Sequence, residues 1–247
     1  MKQNIQTIGV IGAGRFGTFY AQGILPKIFP NAKILISSNS KKGKQFASFE
    51  TVCSSDIVIP AVPIGAMSPL LMKIAEHLKP GAVVMDVCSV KSYPIKWMLQ
   101  YLHHSTKIIA SHPMFGPSSY VQANKDLSKL VLVMHPVRID KNLYEHIHDI
   151  FSTHLKVIEM DPKTHDKKAA KFQFTSHLIG KILHTLMMRR SSIDTKSSSL
   201  MFDLMDVLHS DSDELFLDIY RFNPYAKKQL DKISKSFQKV TSLLKSL

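Results

Sequence analysis

Three short segments of this 247-residue sequence carry residues whose types and spacing could do chemistry. The first is Gly12-Ala13-Gly14-Arg15-Phe16-Gly17, a G-x-G-x-x-G pattern directly after the β-branched run Thr7–Ala13. Gly12 permits a tight turn, Gly14 lets backbone approach a pyrophosphate, and Gly17 lets helix and strand pack closely. A helix opening near Arg15 and Phe16 would aim its N–H groups and positive dipole end at those phosphates. The second segment is Asp86-Val87-Cys88-Ser89-Val90-Lys91, and the third is Ser111-His112-Pro113-Met114-Phe115-Gly116-Pro117. Each follows a strand-like run. In a doubly wound sheet, reactive groups stand at the carboxyl ends of strands, so Ser89 and His112 are expected to converge over a bound nicotinamide.

The elements that must position these groups alternate. Strand-like runs are read at Thr7–Ala13, Lys33–Ser37, Ile57–Val62, Ala82–Val87, Lys107–Ala110, Leu130–Met134 and Val157–Glu159. Helical patterns lie between them near Phe16–Phe29, Ala66–Leu78, Pro94–Leu102 and Lys141–Thr153. This alternation predicts an α/β, Rossmann-type, doubly wound parallel sheet over residues 1–161. At Asp161-Pro162 the pattern changes to a helix start, and residues 162–247 read as a short all-helical domain. There, Asp211 with Glu214 resembles a capping box, and Ser191–Ser199 reads as a loop. Leu230, Ile233, Phe237, Val240 and Leu244 form an apolar stripe on the last helix, which predicts a homodimer through the helical domain. Its lysines at 228, 232, 235 and 239 read as a solvated face.

The second strand bears on the cofactor. An NAD site wants a carboxylate about twenty residues beyond the glycines, to hold the ribose 2′-hydroxyl. This strand ends instead in Ser37-Ser38-Asn39-Ser40-Lys41-Lys42. Hydroxyls, an amide and ammonium groups there suit a 2′-phosphate, so NADP is expected over NAD. Val62 and Pro63, at the end of the third strand, complete the expected cofactor-binding set.

Composition excludes several classes. No apolar run of about eighteen residues is present, so no membrane span is expected. The first strand starts within a few residues of Met1, so no signal peptide is expected. Cys53 and Cys88 have no metal-ligand spacing and read as buried hydrophobes in a reducing, cytoplasmic setting. No metal site is expected. The formal charge of +13 comes from scattered lysines without a recognised nucleic-acid motif, and it suits small polyanionic ligands better than nucleic acid.

The three motifs in this order resemble the prephenate/arogenate dehydrogenase family, the His112–Pro117 run being their most specific part. The resemblance spans roughly Thr7 to Val137. It continues more thinly through Thr164-His165-Asp166, Ser176-His177-Leu178 and the 210–216 segment, which is similar to the plant-like arogenate branch. It implies NADP-dependent oxidative decarboxylation of a cyclohexadienyl ring, giving tyrosine from arogenate or 4-hydroxyphenylpyruvate from prephenate, with arogenate favoured. His112 would take the proton of the ring hydroxyl, as suits an imidazole titrating near neutrality. Ser89 would hold the same hydroxyl or orient the imidazole, and Lys91 would contact substrate or nicotinamide. His177 and, one turn later, Lys181 would lie near the substrate, while His165 reads as a surface residue.

Two departures from the family pattern stand out. Gly180 occupies the place of a second histidine three positions after His177, and no arginine occurs around Met205–Val207 to grip a carboxylate. Lys181, His209, Arg221 or a residue of a partner subunit is then expected to take that task. The resemblance also implies a single-activity chain, with no mutase domain before Met1 and no regulatory domain after Leu247. A dehydrogenase of β-hydroxy acids would want an asparagine one turn after its lysine, and Lys171-Phe172-Gln173-Phe174-Thr175 has none. A non-catalytic NADP-binding module is the remaining alternative, separable by turnover.

Overall fold

The computed structural model describes residues 5–41, 43–208 and 211–246. The chain divides into two compact units, Met1–Pro162 and Lys163–Leu247.

The first unit is built on a seven-stranded sheet of β1 (Thr7–Ile11), β2 (Lys33–Ser37), β3 (Ile57–Pro60), β4 (Val83–Met85), β5 (Lys107–Pro113), β6 (Val131–Arg138) and β7 (Lys156–Glu159). Their spatial order is β2-β1-β3-β4-β5-β6-β7, and neighbours from β2 through β5 are parallel. Helices cover both faces, so β3 and β4 are buried at every position, which is why these runs read as continuously apolar. Ile8, Val10, Ile57, Ile59, Val83, Met85 and Ile109 fill the core with Tyr20, Ile24 and Leu25 from the first helical run. That run opens with the Arg15–Phe19 helix and continues through a π-helical turn, Tyr20–Ile24, into Leu25–Ile28.

The sheet departs from the all-parallel expectation at one edge. β6 runs antiparallel to β5, and β7 is parallel to β6. The reason lies in the connection. A parallel return needs a crossover long enough to span the strand. The only α-helix between β5 and β6 is Pro117–Gln122, six residues, about 9 Å long at 1.5 Å per residue. The seven residues of β5 extend over about 23 Å. The chain therefore turns back on the edge where β5 ends. The same geometry lengthens β5, so His112 lies inside the strand, opposite Val133, and not in a loop after it.

The second unit contains helices Lys163 onward to Ala169 (the helix begins at Pro162), a π-helical turn Ala170–Phe174, and helices Thr175–Thr185, Lys196–Leu208, Asp213–Phe222 and Ala226–Lys245. Phe174, Ile219 and Ala226 are its fully packed centre, with Phe174 stacked on Phe216 at 5.9 Å. The cap of the Asp213–Phe222 helix is Ser212, whose hydroxyl accepts from Leu215 N at 3.1 Å, one residue beyond the expected Asp211. The expected Ser191–Ser199 loop gives way at Lys196, where a helix begins. His165, expected at the surface, is 3% exposed and holds Asp166 at 2.8 Å. Among the described residues, no helix is long and apolar enough to cross a membrane, and no cluster could hold a metal ion.

Candidate active site

The glycine loop joins β1 to the first helix. Gly12 has φ +113°, and a Cβ there would sit 2.3 Å from the Ala61 carbonyl oxygen. A Cβ on Gly17 would lie 2.0 Å from the Gly12 oxygen. Both glycines are therefore required by the fold's own backbone. Gly14 differs: a Cβ there meets nothing within 4 Å. The open space sits beside the backbone that starts the helix, and it fits the pyrophosphate of a dinucleotide. Ser37 is tied into the same corner, its carbonyl accepting from Gly12 N at 3.1 Å.

The segment after β2 folds over the loop. Ser38 Oγ accepts from Lys41 N at 2.9 Å, and Lys41 Nζ donates to the Ala13 carbonyl at 2.7 Å. Asn39 and Ser40 are exposed between them, and Lys42 lies outside the described residues. Arg15 reaches across to Ser118 Oγ at 2.9 Å. Phe16 stacks on Tyr20 at 5.3 Å. Val62 and Pro63 follow β3 next to the glycines, with Val62 Cγ1 within 3.2 Å of a Cβ placed on Gly12. The sequence-expected cofactor residues thus share one corner of the sheet.

Ser89 follows β4, and His112 is the next-to-last residue of β5. β1, β3, β4 and β5 are parallel neighbours, so the glycine loop, Val62, Ser89 and His112 all stand on the same carboxyl edge. Three strand spacings of about 4.8 Å separate β1 from β5, or about 14 Å, which an extended dinucleotide can span. His112 is 3% exposed and Ser89 is half-buried.

Lys91 is buried, and its ammonium is bonded to Asp86 Oδ2 and the Ser111 carbonyl. Sequence reasoning missed Asp86 and Ser111 in this role, since their meeting needs β4 and β5 to be neighbours.

His177 and Lys181 belong to the helical unit. With Gly180, Asp206, Asp211 and Asp213 they line a cavity of about 330 Å³. His177 is buried, and burial holds its pKa below the usual 6.5, with Asp211 at 3.8 Å opposing the shift and Lys181 adding to it. Lys181 is ion-paired to Asp213. At Gly180 a Cβ would meet Leu208 Cδ1, the tip of a flexible side chain, at 2.6 Å. Arg221 is exposed and faces Asp218 at 3.7 Å, while His209 lies outside the described residues.

A doubly wound sheet with an open glycine cradle and a buried histidine on one edge defines a Rossmann-type, dinucleotide-binding oxidoreductase. Comparison narrows this. Residues 39–158 match the nucleotide-binding domain of prephenate dehydrogenase, and residues 182–247 match a TYRAAT1-like C-terminal domain. Arogenate dehydrogenase 2, chloroplastic, of Arabidopsis thaliana is 29% identical over 253 residues, covering 97% of this chain and 70% of that protein. Arogenate dehydrogenase 1 from the same plant is 28% identical over 96% of this chain and 39% of its own length. Over these spans the chain is similar to prephenate and arogenate dehydrogenases. The crystal structure of Aquifex aeolicus prephenate dehydrogenase with hydroxyphenyl propionate and NAD+ shares the fold. Its TM-score is 0.74 at 18% identity, over 99% of this chain and 92% of that one. Synechocystis arogenate dehydrogenase gives 0.68 at 20%, over 98% and 92%.

Proposed function

We propose that this chain catalyses NADP-dependent oxidative decarboxylation of arogenate, or of prephenate, with arogenate the better substrate. The observation that carries the reading is His112: a buried imidazole at the end of β5, on the sheet edge that holds the glycine cradle. The arogenate dehydrogenases among the relatives support the substrate class.

The bound cofactor supplies the hydride acceptor. The backbone at Gly14 and Arg15 would receive the pyrophosphate, and Ser37, Ser38, Asn39, Ser40 and Lys41 would hold the adenosine ribose, with no carboxylate in that segment to repel a 2′-phosphate. Phe16, Val62 and Pro63 would complete the nucleotide's binding set. Ser89 holds the ring hydroxyl of the substrate. His112 Nδ1 or Nε2 takes the proton of that hydroxyl as the ring C–H bond breaks and its electron pair leaves as hydride. The ring carboxylate then departs as CO2, and the electrons of the broken C–C bond complete the aromatic ring. The phenolic oxygen recovers the proton from the imidazolium. Within the helical unit, His177 and Lys181 line a cavity and are the residues proposed there for substrate contact.

The test is formation of NADPH, followed at 340 nm, on mixing the protein with arogenate and prephenate in parallel. Faster turnover of arogenate, and a lower KM for NADP than for NAD, are expected. His112→Asn should lower kcat by about 10²–10⁴-fold while nucleotide binding persists. Nucleotide binding without turnover of either substrate would return the non-catalytic module.

The same proposal includes a homodimer through the Ala226–Lys245 helix, whose Phe237, Val240 and Leu244 are more than half exposed. A monomer by light scattering at micromolar concentration would contradict it. It also includes a cytoplasmic location, supported by Cys53 and Cys88 being buried thiols outside any disulfide, and cell fractionation tests it.

A further inference from the structure

β4 pairs with β5 only as far as Met85 opposite Ile109. Two residues on, Ser111 has no strand beside it on that flank. Side chains take the strand's place. Asp86 Oδ1 accepts from Ser111 N at 3.0 Å, and the Lys91 ammonium donates to the Ser111 carbonyl. Ser111 Oγ donates in turn to the Asp86 carbonyl. The other carboxylate oxygen, Asp86 Oδ2, accepts from Cys88 N at 3.0 Å and from Lys91 Nζ. Asp86 and Ser111 are 0% exposed and Lys91 is 2% exposed.

The pattern of these bonds is more telling than their number. Ser111 directly precedes His112, and Cys88 and Lys91 bracket Ser89. One carboxylate and one ammonium therefore fix the backbone beside both groups at once. A continued β4 would have satisfied Ser111 with ordinary ladder bonds, but it would have filled the edge where Ser89 turns outward. Desolvating an ion pair is costly, and an apolar filling of equal volume commonly folds as well or better. What an apolar filling cannot do is hold both backbone atoms of one residue at fixed angles.

We infer that Asp86 and Lys91 are a positioning pair, which sets the imidazole of His112 relative to the hydroxyl of Ser89. This rests on the proposed function for the roles of His112 and Ser89. In this role the pair acts through His112 and Ser89 and not on the substrate directly.

The test uses the full chain. Asp86→Asn combined with Lys91→Met removes both charges together, so no lone charge is left buried. A second variant, Ser111→Ala, deletes one bond and leaves both charges in place. Folding is followed by circular dichroism, and nucleotide affinity by calorimetry. The ring signals of His112 are followed in histidine-labelled protein, assigned by their loss in His112→Asn. The double variant should bind NADP within threefold of the parent, with kcat lowered about hundredfold, KM changed less than threefold, and the His112 ring signals shifted. An ångström of misplacement at a reacting group is enough for a loss of about that size. Ser111→Ala should show the same pattern with kcat lowered about fivefold.

Unshifted ring signals in either folded variant, or kcat within twofold of the parent in both, overturn the positioning pair. Should the parent itself turn over neither substrate, the proposed function fails, and the ring signals alone decide for or against the pair. If the double variant does not fold, Ser111→Ala decides by the same two readouts.

Discussion

The two units of this chain solve the problem of burial differently. In the sheet unit, apolar side chains from strands β1 to β6, the first helical run and the Lys141–Ser152 helix form one continuous core, with Ile8, Val10, Ile24, Leu25, Met85 and Ile109 fully buried. In the helical unit Phe174, Ile219 and Ala226 form a much smaller buried cluster, while Phe237, Leu243 and Leu244 are more than 60% exposed. The glycine loop of the sheet unit is walled by backbone, and the cavity of the helical unit is lined largely by side chains. The glycines make the difference concrete. Gly12 and Gly17 face carbonyl oxygens, whereas Gly180 faces the tip of a leucine.

That contrast can be broken most sharply at Gly12. Alanine there must adopt φ +113° and place its Cβ against the Ala61 carbonyl. Neither adjusts cheaply, and the loss of stability should be about 3 kcal/mol, read as a lowered urea midpoint. Gly14→Ala is the control. Its backbone, at φ −67° and ψ −175°, is ordinary extended conformation, and its Cβ meets open space. Stability should stay within about 0.5 kcal/mol of the parent. NADP affinity should nevertheless fall at least about tenfold, or 1.4 kcal/mol, because the methyl group occupies the pyrophosphate's place. Equal affinity in Gly14→Ala and the parent would remove the cradle from the proposed site.

A smaller effect is expected at Gly180. Alanine there should be nearly neutral, because the clash is with Leu208 Cδ1, which can rotate away, and a helical alanine is favoured over glycine by about 1 kcal/mol. Histidine, the residue that the family pattern would put there, needs far more room. Gly180→His should cost about 1–3 kcal/mol by overpacking against the Lys196–Leu208 helix, with no gain in turnover. A stable and faster Gly180→His enzyme would mean that the histidine's absence is a lost function and not a packing requirement.

How far the sequence was legible follows the same division. The glycine loop, its strand and its helix are local, and each glycine's task could be named from spacing alone. Ser89 and His112 were placed on one edge correctly, because parallel strands send all their carboxyl ends the same way. The reversal at β6 was not legible, since it depends on whether the 17 residues between Pro113 and Val131 form a long helix or a short one. The partners of Lys91 were not legible for a different reason. A lysine in a turn after a strand reads as a free cation, and only the neighbouring strand, 20 residues later, reveals the carbonyl it holds. In the helical unit the apolar stripe of the last helix was plain from its period. What covers that stripe is not encoded in the period, so Leu230 and Ile233 are half-buried while Phe237 and Val240 stand in solvent.

The smallest effect expected is also the one that most directly compares the units' electrostatics. His177 is buried, and its pKa lies below 6.5, first because burial penalises the imidazolium. Above pH 6.5 the imidazole is neutral in both the folded and the unfolded chain, and it adds no pH dependence. As pH falls below 6.5 the unfolded chain binds a proton that the folded chain resists, so stability is lost. The loss stops once pH passes the depressed folded value, where both states are protonated. Asp211, 3.8 Å away, works in the opposite direction by favouring the imidazolium. Melting temperatures between pH 7 and pH 5 should therefore fall more steeply in Asp211→Asn than in the parent, and less steeply in His177→Leu. Identical acid slopes in all three proteins would show that the carboxylate and the imidazole do not sense each other, and that the helical cavity is wet enough to hydrate both.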